Sequence, residues 1–193
     1  MAKFPRLSVL LLIVILAFIL RFYRVTEVPP SLNWDEASIG YNAYSILKTG
    51  RDEWGEPYPV HFRSYGEYKL PLQIYTSIPG IAIFGLNEFG VRITPVLYGT
   101  LTVFILFFLA KEISGKVEIG LLSSLFLAIS PWHIHLTRAS FESSFSVFWV
   151  VLGIYFMIRG FKDRKWWLAS IIPFALAIYT YNAARVFIPL FLL

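Results

Sequence analysis

The sequence contains no cysteine and few charged residues. Among its 193 residues, Asp, Glu, Lys and Arg together make up 15%, whereas 57% are hydrophobic. The absence of cysteine excludes disulfides and thiolate chemistry from this chain. The hydrophobic share exceeds that of soluble domains, and the mean hydropathy is +0.64. The composition therefore indicates an integral membrane protein rather than a soluble domain with a large core.

The sequence also lacks the motifs of several nucleotide- and metal-dependent enzymes. It has no GxGxxG run, no Walker loop, no Ser-His-Asp order and no zinc spacing. His133 and His135 form a His-x-His pair without a third ligand nearby, which is a weak signal for a metal. We therefore predict no cofactor. A divalent metal ion remains an alternative, although no motif in the sequence indicates one.

The basic residues are clustered between apolar segments. The formal net charge is +5, and the clusters are Lys3/Arg6, Lys111/Lys116 and Arg159/Lys162/Arg164/Lys165. Such clusters are typical of cytoplasmic loops beside anionic lipid. A nucleic-acid partner is not expected, because no basic stripe lies on a soluble domain. The lipid bilayer is the predicted environment.

The apolar pattern predicts an all-α, multi-span transmembrane helix bundle. The predicted spans lie at about 7–23, 92–110, 117–131, 142–158, 166–181 and 184–193. The first could instead be a signal peptide, but Arg21–Arg24 follows where a cleavage site would be needed. The chain stops at Leu193 inside an apolar run, so we expect a further C-terminal membrane region.

A long outer loop, residues 24–91, separates the first two predicted spans. Its segment 70–86 is apolar but is broken by Pro71, Pro79 and Gly85, which favours an interfacial or partly re-entrant helix, with a span as the alternative. Treating it as interfacial places every basic cluster in the cytoplasm and the long loop outside. We adopt that topology.

The loop opens with Asn33-Trp34-Asp35-Glu36 ahead of an amphipathic helical pattern that ends at Gly50. Asn33 suits the N-cap and Glu36 the third helical position of a capping box, so Glu36 either caps the helix or takes part in chemistry. Asp35 has no capping role. Its place at a helix N-terminus favours the carboxylate, as a general base requires. Both Asp35 and Glu36 are therefore candidate catalytic residues.

Three basic residues on the predicted outer side are candidates for binding a phosphate. Lys69, just before Pro71, either extends its ammonium to the membrane interface or contacts a lipid phosphate. Arg138 lies four residues before Glu142, so on one helix the two would share a face and could simply pair. Arg185 adds a further possible phosphate partner.

Several short motifs occur together along nearly the whole chain. They are Asp35-Glu36, Lys69–Leu72, Phe84–Arg92, Ala110–Ile113, Ala128–Pro131 and Arg138–Glu142. In combination they resemble the family of dolichyl-phosphate-mannose–protein mannosyltransferases and its bacterial relatives, which include the aminoarabinose transferases of lipid A. One departure is Lys-Leu-Pro-Leu at 69–72, where relatives often have Lys-Pro-Pro-Leu.

The resemblance implies the N-terminal part of a GT-C membrane glycosyltransferase. Such an enzyme would move a sugar, with inversion, from a polyprenyl-phosphate donor to a protein, lipid or glycan acceptor outside the cytoplasm. The resemblance assigns the catalytic base to Asp35 and the donor phosphate to Lys69. It gives supporting roles to Arg138 and Glu142. We also count Arg138 among the candidate phosphate contacts and Glu67 among the supporting residues.

Two other classes of function remain open on the sequence. A polytopic lipid or sugar transporter would be expected to carry polar residues at mid-span depth or paired broken helices, whereas here the ionisable groups gather at one face. A non-catalytic scaffold subunit would tolerate the loss of Asp35 and Lys69.

Overall fold

The computed structural model describes residues 6–193, which form a mainly helical bundle. Lys3, part of the first basic cluster, lies outside the described residues. The helices are α1 (Arg6–Phe22), α2 (Trp34–Thr49), α3 (Pro71–Phe84), α4 (Glu88–Ser114), α5 (Val117–Ile129), α6 (Pro131–Arg138), α7 (Glu142–Gly160), α8 (Lys165–Ile178) and α9 (Ala184–Leu192). A two-stranded antiparallel hairpin, β1 (Phe62–Arg63) and β2 (Tyr68–Lys69), lies in the long loop.

Each of the six predicted apolar segments contains a helix. By length and composition, α4 and α7 are each sufficient to cross a membrane. Helices α5 and α6 meet the same test only as a pair, bent by 59° at Ser130. That bend follows from Pro131, which occupies the first position of α6, because a residue before proline is displaced from the helical region.

Helix α4 is the central element of the bundle. It packs against α1, α3, α5 and α7. Small residues allow the close approaches: a Cβ added at Gly99 of α4 would come within 2.5 Å of Thr137, and one at Gly120 of α5 within 2.8 Å of Phe107. Between membrane helices, where apolar burial gives little driving force, such close backbone contact supplies dispersion energy instead.

The predicted start and end of α2 are confirmed. Asn33 accepts a hydrogen bond from the Glu36 N–H, and Glu36 accepts one from the Asn33 N–H, so both halves of the capping box are present. Gly50 ends the helix with φ 68°, a left-handed conformation that glycine adopts without a steric penalty.

Helix α2 is anchored to α3 and α4. A shared cluster of apolar side chains joins them: Ile39, Ala43, Ile46, Phe62, Ile74, Ile81 and Val91. The Phe62 ring brings the hairpin into the same cluster, and Phe62 pairs with Lys69 across the two strands. The cluster therefore fixes the start of α2 and the end of β2 relative to each other, which places Asp35 beside Lys69.

Candidate active site

Residues from four parts of the chain surround a cavity of about 220 Å3. Helix α2, the hairpin, the start of α7 and the turn before α9 each contribute side chains. The lining residues are Asp35, Glu67, Lys69, Phe141, Glu142, Ser143 and Tyr181. This cavity, called the central cavity below, brings together four of the predicted site residues.

Asp35 and Lys69 form the closest charged contact in the central cavity. The Lys69 ammonium donates to Oδ1 of Asp35 at 2.6 Å. Asp35 occupies the second position of α2, where the helix N-terminus favours a negative charge. Its side chain remains 30% exposed, so a ligand in the cavity has access to the carboxylate.

Lys69 does not extend to solvent. Its side chain is 3% exposed, and its ammonium also donates to Oε1 of Glu67 at 3.0 Å. Burial acts to lower the pKa of Lys69, but the hydrogen bonds to Asp35 and Glu67 outweigh it and raise the pKa above its usual value. The alternative of a lysine that reaches out to the interface is therefore wrong. Lys69 is instead a fixed cation beside two carboxylates.

Glu142 supplies a third carboxyl group to the central cavity. It is the first residue of α7, and its Oε1 atom is buried without a hydrogen-bond partner among the described residues. A buried polar atom without a partner is costly. The atom is therefore placed to interact with a ligand that enters the cavity.

Glu36 lies outside the cavity, in a buried network. Its carboxylate accepts from Nε of Arg92 at 2.9 Å, from Nη2 of Arg92 at 3.1 Å and from the Ser140 N–H at 3.2 Å. The Glu36 side chain is 1% exposed and that of Arg92 is fully buried. The sequence predicts Glu36 as a second catalytic residue. With the bond from the Asn33 N–H, every accepting position of its carboxylate is used in this network, which favours a structural role, and the catalytic role stays a prediction.

Arg92 is a site residue that the sequence prediction missed. Besides Glu36, its guanidinium donates to the carbonyls of Val25, Pro29 and Ser31. It therefore fixes the chain that leads into α2. The available signal was an arginine near the start of a long apolar helix, since a charge in such a place is expensive unless it is paired.

Arg138 binds backbone and does not pair with Glu142. Its guanidinium donates to the carbonyls of Leu20, Tyr23, Arg24 and Val28 at 2.7–3.1 Å. The prediction that the two residues could share a helical face is wrong, because Ala139 is extended and ends α6 before Glu142 begins α7. The guanidinium of Arg138 thus binds backbone at the end of α1 and in the turn that follows, and its predicted contact with the donor phosphate stays a prediction.

Gln73 attaches the turn before α7 to α3. Its amide nitrogen donates to the carbonyl of Ser140 at 2.8 Å and to the Ser140 hydroxyl at 2.7 Å. The Leu72 N–H donates to the Tyr179 carbonyl at 3.2 Å. These bonds hold the cavity walls that carry Glu142 and Tyr181.

Arg185 lies in the first turn of α9 and is exposed. The residues that line the central cavity include Tyr181 from the preceding turn but not Arg185. Its predicted contact with a phosphate stays a prediction.

The His, Asp and Glu side chains of residues 6–193 do not gather into a metal site. Within that range no group of three or more His, Asp or Glu side chains is arranged to hold a metal ion. His133 instead contacts Arg21, whose Nη2 lies 2.7 Å from its Nδ1. The prediction of a site without a cofactor stays a prediction.

Comparison with known proteins identifies the family. Residues 11–180 match the family described as dolichyl-phosphate-mannose-protein mannosyltransferase. The chain belongs to this family. It is also 32% identical, over 98% of its length, to a protein of Aquifex aeolicus (strain VF5) described as an uncharacterized protein. The chain spans 36% of the length of that relative.

Two solved structures share the fold of this mannosyltransferase-family chain. ArnT from Cupriavidus metallidurans in the apo state superposes with a TM-score of 0.66 and 18% identity, covering 91% of this chain and 32% of ArnT. The second is AglB from Archaeoglobus fulgidus, an archaeal oligosaccharyltransferase in complex with an inhibitory peptide and a dolichol-phosphate. It superposes with a TM-score of 0.72 and 16% identity, covering 97% of this chain and 25% of AglB. The chain therefore has the GT-C fold of an integral membrane protein, and the predicted fold class is confirmed.

Proposed function

We propose that this chain carries the sugar-transfer site of a membrane glycosyltransferase that uses a polyprenyl-phosphate-linked sugar. The observation that carries the proposal is the central cavity, in which the buried Lys69 ammonium lies against the carboxylate of Asp35. Membership of the mannosyltransferase family and the dolichol-phosphate bound to AglB support this donor class. The proposed acceptor is a protein, lipid or glycan.

In this proposal Asp35 is the general base. An acceptor hydroxyl attacks the anomeric carbon of the donor sugar, and its proton passes to the Asp35 carboxylate as the new bond between oxygen and carbon forms. Within residues 6–193 the hydrogen bond to the Asp35 side chain ends on Oδ1. Oδ2 is therefore the oxygen that receives the proton.

Lys69 stabilises the departing phosphate. The bond between the anomeric carbon and the phosphate oxygen breaks with its electron pair on oxygen, so negative charge grows on the polyprenyl phosphate. A buried ammonium that is already in place stabilises this charge without having to reorganise. Because one displacement forms one bond and breaks the other, the anomeric configuration is inverted. The sugar transferred is a hexose or a pentose.

We place the reaction at the face of the cell membrane that lies outside the cytoplasm. The basic clusters at Lys111/Lys116 and Arg159–Lys165 support this orientation, because such clusters are retained in the cytoplasm. They flank the α4–α5 and α7–α8 connections, whereas the central cavity is formed at the other set of connections.

Substitution of Asp35 tests the proposal. Asp35→Asn keeps the size and the hydrogen bond from Lys69 but cannot accept the proton, and a positioned base contributes about 10²–10⁴-fold. We expect at least roughly a hundredfold slower transfer from a labelled polyprenyl-phosphate sugar, with donor binding retained. The matched control is Asp163→Asn, which alters an exposed carboxylate in the α7–α8 connection and should leave transfer unchanged.

Two results would contradict the proposal. Near-normal transfer by the Asp35→Asn variant would remove Asp35 as the base. Movement of the donor across a vesicle membrane by a wild-type protein that transfers no sugar would instead indicate the transporter class.

A further inference from the structure

A second cavity adjoins the central cavity at Asp35. Its volume is about 340 Å3, and it is lined by Trp34, Asp35, Tyr65 and Glu67. It shares Asp35 and Glu67 with the central cavity. We call it the aromatic cavity. Asp35 therefore lines both spaces, and the central cavity also contains the Lys69 ammonium that we propose for the donor phosphate.

Local structure places the two aromatic rings at this cavity. Trp34 is the first residue of α2 and follows the capping residue Asn33. Tyr65 lies in the turn of the hairpin, where Gly66 adopts a φ of +80°. The ring centroids are 6.4 Å apart with an interplanar angle of 33°. Both side chains remain largely exposed, 72% for Trp34 and 70% for Tyr65, so their faces are available to a ligand.

Exposed aromatic residues often belong to the belt at a membrane interface. Here, however, Trp34 and Tyr65 border a cavity that also contains two carboxylates. Carboxylates are expensive against lipid, so this cavity faces water. A role in ligand binding accounts for both the rings and the carboxylates, whereas a lipid-facing belt accounts only for the rings.

The lining defines the chemistry of a fitting ligand. Ring faces favour apolar C–H surfaces, and the carboxylates of Asp35 and Glu67 accept hydrogen bonds from hydroxyl groups. An acyl chain would require a wholly apolar lining, and an anionic headgroup would be repelled by both carboxylates. A peptide is usually held through its backbone at a strand edge or by a helix in an apolar groove. A neutral saccharide has both C–H faces and hydroxyl groups.

We propose that the aromatic cavity binds the acceptor and that this acceptor is a neutral saccharide, free or at the end of a glycan. The inference rests on the proposed glycosyltransferase function and specifies its acceptor class. Trp34 and Tyr65 hold the sugar ring, and one of its hydroxyl groups points to the shared wall formed by Asp35. The volume falls at the lower end of the about 300–1,000 Å3 found for small-molecule pockets, which suits one sugar ring at the reacting end.

The first experiment compares acceptors. The purified full chain is given a labelled polyprenyl-phosphate sugar together with maltotriose, α-mannotriose, a serine- and threonine-rich peptide, or lipid A. We expect labelled product from a neutral saccharide and little from lipid A. Transfer to the peptide but to neither saccharide would overturn the acceptor assignment and leave the glycosyltransferase proposal standing. Absence of transfer to every acceptor, together with absence of donor binding, would count against the glycosyltransferase proposal itself.

The second experiment measures saccharide binding without turnover. Saturation-transfer NMR with the same saccharides is applied to wild type, Trp34→Ala, Tyr65→Ala, Trp34→Phe and Trp132→Ala. Loss of a stacking ring should weaken binding roughly tenfold, with donor affinity unchanged, and Trp34→Phe should restore much of it. The control, Trp132→Ala, removes a ring that is 74% exposed but lies outside both cavities.

The binding experiment decides the proposal even if catalysis is lost. Saccharide binding that is reduced in the Trp34→Ala and Tyr65→Ala variants but unchanged in Trp132→Ala supports it. Equal binding by all variants, or no binding by the wild type, overturns it and returns Trp34 and Tyr65 to the interfacial belt. Melting temperatures identify any variant that has lost its fold. Because the substituted side chains are exposed, we expect every variant to remain folded.

Discussion

Glu36→Gln separates a structural role of Glu36 from the catalytic role that the sequence predicts for it. In the structure the Glu36 carboxylate accepts four hydrogen bonds: from the Asn33 N–H, from Nε and Nη2 of Arg92, and from the Ser140 N–H. A glutamine amide has one oxygen that accepts two. Two donors therefore lose their partner, and the new NH2 group faces donors instead of acceptors.

The expected loss of stability is large. Each buried donor left without a partner costs about 1–3 kcal/mol, which gives about 2–6 kcal/mol for two such donors. An independent figure comes from the ion pair: removing one partner of a buried pair costs about 3–5 kcal/mol, and both side chains of this pair are almost fully buried. The two figures agree on about 3–5 kcal/mol, a substantial part of the about 5–15 kcal/mol that stabilises a typical protein.

The measurement is denaturant unfolding of the detergent-purified protein, followed together with transfer activity. The control is Glu118→Gln, the same chemical change in an exposed pair with Arg6, for which we expect less than about 1 kcal/mol. A Glu36→Gln variant that unfolds with the stability of wild type and yet transfers no sugar would refute the structural reasoning. Glu36 would then be catalytic, as the sequence alone predicts.

Two further predictions concern the donor and the topology. Lys69→Ala should weaken binding of the polyprenyl-phosphate donor by at least roughly tenfold, because a hydrogen bond to a charged group is lost. The control is Lys162→Ala, which removes an exposed lysine paired with Glu112. Unchanged donor affinity in a folded Lys69→Ala variant would refute the prediction. For topology, the chain lacks cysteine, so Glu56→Cys and Lys116→Cys give single labelling sites, which should react from opposite sides of the membrane. Labelling from the same side would overturn the orientation.

Local features of the fold could be predicted from the sequence. The capping box at Asn33 and the stop at Gly50 depend on neighbouring residues only, and both are observed. The six apolar segments correspond to helices because hydrophobicity is also a local property. The sequence places Asp35 and Lys69 in one outer loop, and the family resemblance assigns both to the active site, but neither predicts the direct contact between them.

The long-range partners of the arginines could not be predicted. Arg92 and Glu36 are 56 residues apart, and Arg138 reaches carbonyls more than 100 residues away. Sequence spacing instead suggested that Arg138 and Glu142 pair on one helix, because spacing does not show that Ala139 is extended. Such contacts depend on how the helices pack, and a single sequence gives little information on that packing. The hairpin was missed because each strand has only two residues, too few for a visible alternation.

The buried contacts around Ser140 explain how the Asp35 and Glu142 carboxyl groups of the central cavity keep a fixed separation. Ser140 donates through its N–H to Glu36 and binds Gln73 through its carbonyl and hydroxyl. Glu36 adjoins Asp35 in α2, and Ser140 lies two residues before Glu142. A single network therefore connects the backbone on both sides of the cavity. All of its side chains are buried, whereas Trp34 and Tyr65 are exposed. Rigid support at the proposed donor site and accessible rings at the proposed acceptor site suit the proposed enzyme, which would hold its donor phosphate firmly and admit a second substrate from water.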